Sequence, residues 1–350
     1  MHRLFFVLIL LIASNSFAAD VANLYQSQLP VSSQSEEDRQ RVSPDVLRQV
    51  MLKVVGDRAA IDAVDITPVL SQTDQLIQQY QYQRINKISD DLTQPDQLEV
   101  VLTFNEAGLN QSLTDVGLPI WGKSRPEVLL WLAVDNGKRR TIVGVDKENT
   151  PIPTAIKHAA DLRGLPILMP LMDLQDQGQV KFADLWAGFS DSILQASSRY
   201  AAQVVLMARV SVVKNGAVEI RWQSLINGES EQWQSRGNLN KALQSGIDEL
   251  ADRLARRFTQ VVTSRYGQSY SLQISNVRDY ADYSRLMDYL SNVQYVSDVH
   301  VSSLIADQID VSISLKGDLA VFNRTLAIDQ VLAEDNLYNS TNVMSYRLLP

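Results

Sequence analysis

The chain contains no cysteine, only three histidines and no long uncharged apolar run after its first residues. Without cysteine there is no disulfide framework, no thiolate metal site and no thiol nucleophile. Three histidines, one of them His2, leave little for a histidine-rich metal site or a Ser-His-Asp triad. Neither His158, in a predicted helix, nor His300, in a predicted strand, lies near a nucleophile signature. The motifs H-E-x-x-H and G-x-S-x-G are both missing, so no metal or cofactor is expected. Positive charge is also short, with 32 Lys+Arg against 40 Asp+Glu and a formal charge of -8. That balance argues against a nucleic-acid partner, which calls for a basic face. What remains is ordinary for a globular protein: 350 residues, 45% hydrophobic and 21% charged, enough for two or three domains.

Met1-His2-Arg3 precedes an apolar run from Leu4 to Ala13, and small residues Ser16 and Ala18 follow. This pattern predicts a signal peptide over residues 1–18, cleaved after Ala18, and an exported mature chain. The run is too short for a spanning helix, which needs roughly 20 apolar residues. Avoidance of cysteine suits an oxidising compartment.

Three units are expected in the mature chain. The fold class is α/β plus α+β, built from small mixed units. Residues 20–120 read as an N-terminal α+β domain. A strand lies in Ala22–Val31, a helix over Ser35–Val55 stops at Gly56, and a weaker helix covers Asp65–Gln79. Strands Gln81–Ile85 and Leu98–Phe104 flank the polar turn Ser89–Asp96, and a helix over Asn105–Val116 follows. Residues 125–265 read as a central α/β domain, a mixed sheet with flanking helices. Glu127–Val134 and Leu165–Leu171 are expected as buried strands. Helices are expected over Pro153–Leu162 and Ala187–Tyr200. A meander runs from Gln203 to Arg236, turning at Asn215-Gly216 and Asn227-Gly228. Leu239–Thr263 is a long amphipathic helix, apolar at Leu243, Ile247, Leu250, Leu254, Phe258 and Val261 and basic at Arg253, Arg256 and Arg257. Residues 268–350 give the order βαββαβ of a ferredoxin-like C-terminal domain, ending in a strand at Asn342–Leu348.

Gly117-Leu-Pro-Ile-Trp-Gly122-Lys123-Ser124 satisfies the phosphate-loop spacing. Its context does not. A helix precedes it and a strand follows, so no helix N-terminus faces the loop, and the segment reads as a linker. The best small-ligand candidate is the loop after Leu171, with Asp173, Asp176, Asp184 and Trp186, because open α/β sheets bind ligands beyond strand C-termini. Arg163, closing the preceding helix, is a candidate anion clamp, although a cation there also offsets the helix dipole. Turn chemistry and helix capping are the favoured explanation of the aspartates, ahead of a binding surface or catalysis. Of the tryptophans, Trp131 is expected in the core, and Trp222 and Trp233 as a cross-strand pair.

The strings WGKSRPEVLLWLAVD, LRGLPILMPLMDLQD, DLWAGF and ASSRYAAQVVLMARV resemble an uncharacterised family of gammaproteobacterial exported proteins, the domain of unknown function numbered 2066. LYQSQLPVSSQSEEDR and QYQYQRI resemble it too, so the likeness spans most of the mature chain. It implies a periplasmic setting and carries no catalytic residue. The central unit is more loosely similar to the amino-terminal α/β domain of Tol translocation protein B and related envelope accessory proteins. There such units make protein contacts. The favoured function is therefore a non-enzymatic envelope accessory or scaffold protein with an envelope protein partner. The alternative is a binding module for a small ligand or peptidoglycan fragment, and a third reading is a carboxylate-dependent hydrolase.

Overall fold

The computed structural model describes residues 19–20, 23–85, 97–145, 151–213, 217–259, 268–293, 296–315, 319–335 and 343–350. The expected leader, the turns Ser89–Asp96 and Asn215-Gly216, and Val261 lie outside the described residues. Among those described, no helix is long and apolar enough to cross a membrane.

The chain begins with β1 (Ala19–Asp20), β2 (Gln26–Pro30) and α1 (Glu36–Val55). The Ser35 hydroxyl accepts from the Asp38 N–H, and three acidic residues follow in the first turn of α1. Its other end is closed by Gly56 at φ 80°, a left-handed turn that favours glycine. The short helix α2 (Arg58–Asp62) follows, and where one helix is expected over Asp65–Gln79 the chain makes short helices α3 (Thr67–Leu70) and α4 (Thr73–Leu76), then β3 (Ile77–Ile85). Pro68 starts α3, and pairing of β3 with β4 (Gln97–Phe104) outweighs the weak helical period. Next comes α5 (Glu106–Asp115), and the antiparallel sheet runs β2-β4-β3.

The central unit holds β5 (Ser124–Arg125), β6 (Val128–Asp135), β7 (Arg140–Val143), α6 (Pro151–Arg163) and β8 (Ile167–Leu168). Short helices α7 (Leu174–Gln179), α8 (Phe182–Ala187) and α9 (Ser190–Ser197) follow. The meander β9 (Val204–Val212), β10 (Val218–Ile226), β11 (Glu229–Gly237) leads into α10 (Leu239–Phe258). The strand order is β11-β10-β9-β6-β7, with β8 beside β6. Residues of β6, β9 and β10 alternate between two cores. Leu130, Leu206 and Trp222 join the core with α6 and α10; Trp131, Met207 and Leu225 join that with α8 and α9. The expected strand Leu165–Leu171 shrinks to two residues because Pro166 and Pro170 flank it, and Leu171 is exposed. The helix expected from Ala187 starts at Ser190, since Gly188 in the left-handed region ends α8.

The third unit comprises β12 (Gln268–Ser275), α11 (Tyr280–Asn292), β13 (Val296–Ile305), β14 (Gln308–Leu315), α12 (Leu319–Asp329), β15 (Leu332–Glu334) and β16 (Val343–Leu348). Two strands follow α12 instead of the one expected. The sheet order is β13-β14-β12-β16-β15, with β16 parallel to β12. The chain doubles back from the β15 edge and inserts its last strand beside the first, an extension of the simple βαββαβ plan.

Two buried guanidiniums join the first unit to the second. Arg125 is fully buried, and its Nε and Nη groups donate to the carbonyls of Gly122, Arg163, Gly164, Lys53 and Trp121 at 2.6–3.1 Å. All five of its N–H groups are therefore used. These acceptors include the last turns of α1 and α6, so two negative helix ends converge on one cation. Arg163, also fully buried, donates to the Gly56 carbonyl at 2.6 Å, to Asp248 at 3.0 Å and to Asp252.

Candidate functional site

The five residues singled out in the sequence fall in three places. Arg163 is committed to the junction just described, and its guanidinium is closed off from solvent by α1 and α10. This geometry assigns it to holding elements together.

Asp173 and Asp176 meet at the start of α7. The Asp173 carboxylate caps the helix by accepting from the Asp176 N–H at 3.0 Å, and takes two N–H donors of Arg199 at 2.9 and 3.0 Å. Arg199, followed by the backbone cap, holds the Asp173 carboxyl at about 2. Asp176 is fully buried and accepts from Tyr200 Oη at 2.5 Å, the Met172 N–H at 2.9 Å and Arg199 at 3.2 Å. Tyr200 Oη in turn accepts the Leu171 N–H at 2.9 Å. The network fixes the loop between β8 and α7 on the 3₁₀ turn Ser198–Tyr200. Arg199 and Tyr200 escaped the sequence reading because their partners lie over 20 residues earlier.

Asp184 and Trp186 lie on α8, outside that network. The Asp184 carbonyl closes the helix by accepting from Gly188 and Phe189, both at 3.0 Å. Trp186 stacks on Phe182 with ring centroids 5.2 Å apart, and the Arg221 guanidinium lies 5.7 Å from its centroid. Arg221 stands directly across from Arg209 in the β9–β10 register. An arginine within the apolar string VVLMARV was the available signal. The loop thus divides into a saturated aspartate end and an aromatic–arginine end. Its outer surface is apolar, with Leu171 53%, Leu174 88%, Phe189 64% and Leu194 42% exposed.

A cleft of about 560 Å³ lies where the three units meet, lined by Tyr25, Glu106, Trp121, Lys123, Tyr289 and Asp329 among others. The phosphate-loop string runs along it as an extended connection. Lys123 pairs with Glu106 at 2.6 Å, and Ser124 hydrogen-bonds Asp329, which also accepts from Tyr289 Oη at 2.7 Å. Trp121 is buried, and among the described residues its indole N–H has no hydrogen-bond partner. The basic face expected on α10 is neutralised: Arg253 by Glu231 and Glu249, Arg256 by Asp57, and Arg257 by Glu229. Among the described residues no group of three or more His, Asp or Glu is placed to hold a metal ion.

A second cleft, between β2 and α6, is lined by Lys53, Glu99, His158 and Asp161. Lys53 is 9% exposed and donates to the Gln26 carbonyl at 2.8 Å. Burial pulls its pKa down to about 8, with Asp161 opposing and Arg125 adding. The unfolded chain keeps that proton up to about pH 10.5, so it binds more protons than the folded one between these values. Stability therefore rises with pH across that window. Burial also raises the phenols of Tyr25, Tyr200 and Tyr346 from 10.0 to about 12, so above pH 10 they pull the other way. Urea unfolding across this range is expected to show a rise from pH 8, overtaken by a fall above pH 10. Lys53→Met removes the rise and leaves the fall. A rise that persists in that variant would assign it to another group.

A family model described as a domain of unknown function, DUF8605, matches residues 18–122. No curated protein matches the chain. Among solved structures, an uncharacterized protein is 13% identical, covering 38% of this chain and 91% of its own, with a TM-score of 0.19. A competence-damaged protein (CinA) superfamily protein from Enterobacter cloacae is 14% identical, covering 43% and 88%, with a TM-score of 0.21. The competence damage-inducible protein A from Klebsiella pneumoniae subsp. pneumoniae is 14% identical, covering 43% and 92%, with a TM-score of 0.22. Scores at this level establish no shared fold.

Proposed function

We propose that this chain is a periplasmic accessory protein of the bacterial envelope that acts as a scaffold, by contact with another protein and without catalysis. The observation that carries this reading is the α7–α9 layer. Four large apolar side chains, Leu171, Leu174, Phe189 and Leu194, face solvent there. The layer beneath them is held in place by the buried Asp176 network. Exposed apolar side chains on a well-fixed support are the usual raw material of a protein interface. The leader-like first residues and the resemblance to exported envelope proteins support the location. A hydrolase working through Asp173 and Asp176 is not favoured, because both carboxylates already accept several hydrogen bonds and Asp173 is held strongly anionic. At the three-unit cleft the small-ligand alternative has one observation behind it: among the described residues the Trp121 N–H has no partner.

The test is photo-cross-linking in intact cells with benzoylphenylalanine at Leu174 or at Phe189. Both positions are expected to capture the same envelope protein, and Lys138, exposed on the β6–β7 turn, is expected to capture none. No adduct at either position, or the same adducts at Lys138, would sink the scaffold reading.

A further inference from the structure

Among the described residues, no acidic side chain pairs with the positive charge on the sheet face beneath α8 and α9. Arg209 on β9 and Arg221 on β10 are direct antiparallel partners, on the same face as Met207 and Leu225. Residues so placed have Cβ atoms about 4.5–5.5 Å apart, and like charges there destabilise a sheet. Arg209 is only 7% exposed, and among the described residues its buried Nε has no hydrogen-bond partner. Its single hydrogen bond, from Nη2 to Oε1 of Gln223, is long at 3.5 Å. Among the described residues neither arginine has an ion-pair partner; Arg221 instead lies beside the Trp186 ring. Burial, and then Arg221, lower the pKa of Arg209, the direction expected of a cation lacking a counter-charge. Arg125 is different in kind, because carbonyls occupy all of its donors.

The backbone around this pair adds to the positive field. A Cβ at Gly188 would lie 2.6 Å from Nη1 of Arg209, so the turn before α9 rests directly on the guanidinium. Two residues later α9 begins, and Phe189 at its N-cap supplies no side-chain acceptor. Its first turn carries one acid, Asp191, which is exposed and among the described residues forms no ion pair with either arginine, and the first-turn N–H groups have no side-chain cap. The Ser192 hydroxyl in the same turn is buried and, among the described residues, also lacks a partner.

We propose that Arg209 and Arg221, with the first turn of α9, bind a phosphate group. Two guanidinium forks and a helix N-terminus match the charge and the oxygens of a dianion, whereas a carboxylate would neutralise only one cation. Free phosphate and a phosphomonoester share this chemistry. Trp186, stacked on Phe182 and next to Arg221, is positioned to cover the organic group of an ester. The site goes beyond the scaffold reading and does not depend on it, since the purified chain binds phosphate with or without a protein partner.

The test is calorimetric titration of the purified full chain at pH 7.5 and low salt with inorganic phosphate, phenyl phosphate and benzoate. Saturable binding is expected for both phosphates, with benzoate at least tenfold weaker. Arg221→Gln is expected to weaken phosphate binding tenfold or more. Arg221→Lys, which keeps the charge and loses the fork, weakens it several-fold and serves if the first variant melts early. Lys181→Gln, on an exposed side chain of the same layer, leaves it unchanged. Phenyl phosphate binding more tightly than inorganic phosphate, with the difference erased in Trp186→Leu, identifies an ester as the ligand; equal affinity identifies free phosphate. Three results overturn the proposal: no saturable phosphate binding at millimolar concentration, benzoate binding as well as phenyl phosphate, or parent-like affinity in a folded Arg221 variant.

Discussion

Replacing Arg125 by alanine is expected to lower unfolding free energy by about 3–5 kcal/mol, a large share of the roughly 5–15 kcal/mol that holds a typical domain. Five carbonyls from residues 53, 121, 122, 163 and 164 lose their donor together. Three of them belong to the C-terminal ends of α1 and α6, whose partial negative charges then face each other across a void. The Trp121 ring also loses the guanidinium stacked 4.1 Å above it. Arg125→Lys recovers less than half of the loss. An ammonium has three donors and no planar fork, so at least two carbonyls remain stranded. Urea unfolding of the two variants measures both numbers. A lysine variant as stable as the parent would mean that charge alone, without the fork, satisfies the junction.

Gly246→Ala carries the second large effect, and its sign runs against helix propensity. Within α10 the change should gain about 1 kcal/mol. The added methyl, however, would lie 2.1–2.3 Å from Cε2, Cζ2 and Nε1 of Trp222. That ring cannot retreat. It is stacked on Trp233 at 6.2 Å and 6°, and its N–H donates to Ser235 at 2.8 Å. The Trp233 N–H is in turn held by the Gly246 carbonyl at 3.1 Å. Overpacking at a rigid aromatic belongs at the upper end of the usual range, about 3 kcal/mol, so a net loss of about 2 kcal/mol is expected. A lowered urea midpoint with a changed near-ultraviolet tryptophan signal would register it. A stabilised variant would show that the indole pair has room to slide.

Much of the architecture can be read from the chain because it rests on local signals. The apolar stripe from Leu243 to Phe258, the Asn227-Gly228 turn and the run VLLWLAV each predict their element, and the Trp222–Trp233 pair follows from the hairpin. The failures share a cause. Leu165–Leu171 is apolar enough for a strand, but two prolines withhold the donors that a longer ladder needs. Ile77–Gln79 carries weak helical spacing that strand pairing overrides. The last strand is paired non-locally, in parallel beside β12, a choice of topology that no window of sequence contains. The same limit applies to the site. Asp173 and Trp186 were legible as polar and aromatic residues beyond a strand. That one end of the loop is saturated by Arg199 and the other open beside Arg221 is a matter of tertiary placement. Arg125 gave no signal at all, since its partners are backbone carbonyls.

The scaffold role proposed above requires the chain to transmit position as well as hold a surface, and so requires the first two units to open as one body. Native-state hydrogen exchange of the full chain tests this directly. Amides in the middle of α1 and of α10, joined through Arg163 to Gly56, Asp248 and Asp252, are expected to exchange with the same opening free energy and the same dependence on urea. They should separate in the Arg125→Ala variant. If α1 instead exchanges through a smaller opening while α10 stays closed in the unaltered protein, the two buried guanidiniums do not unite the units.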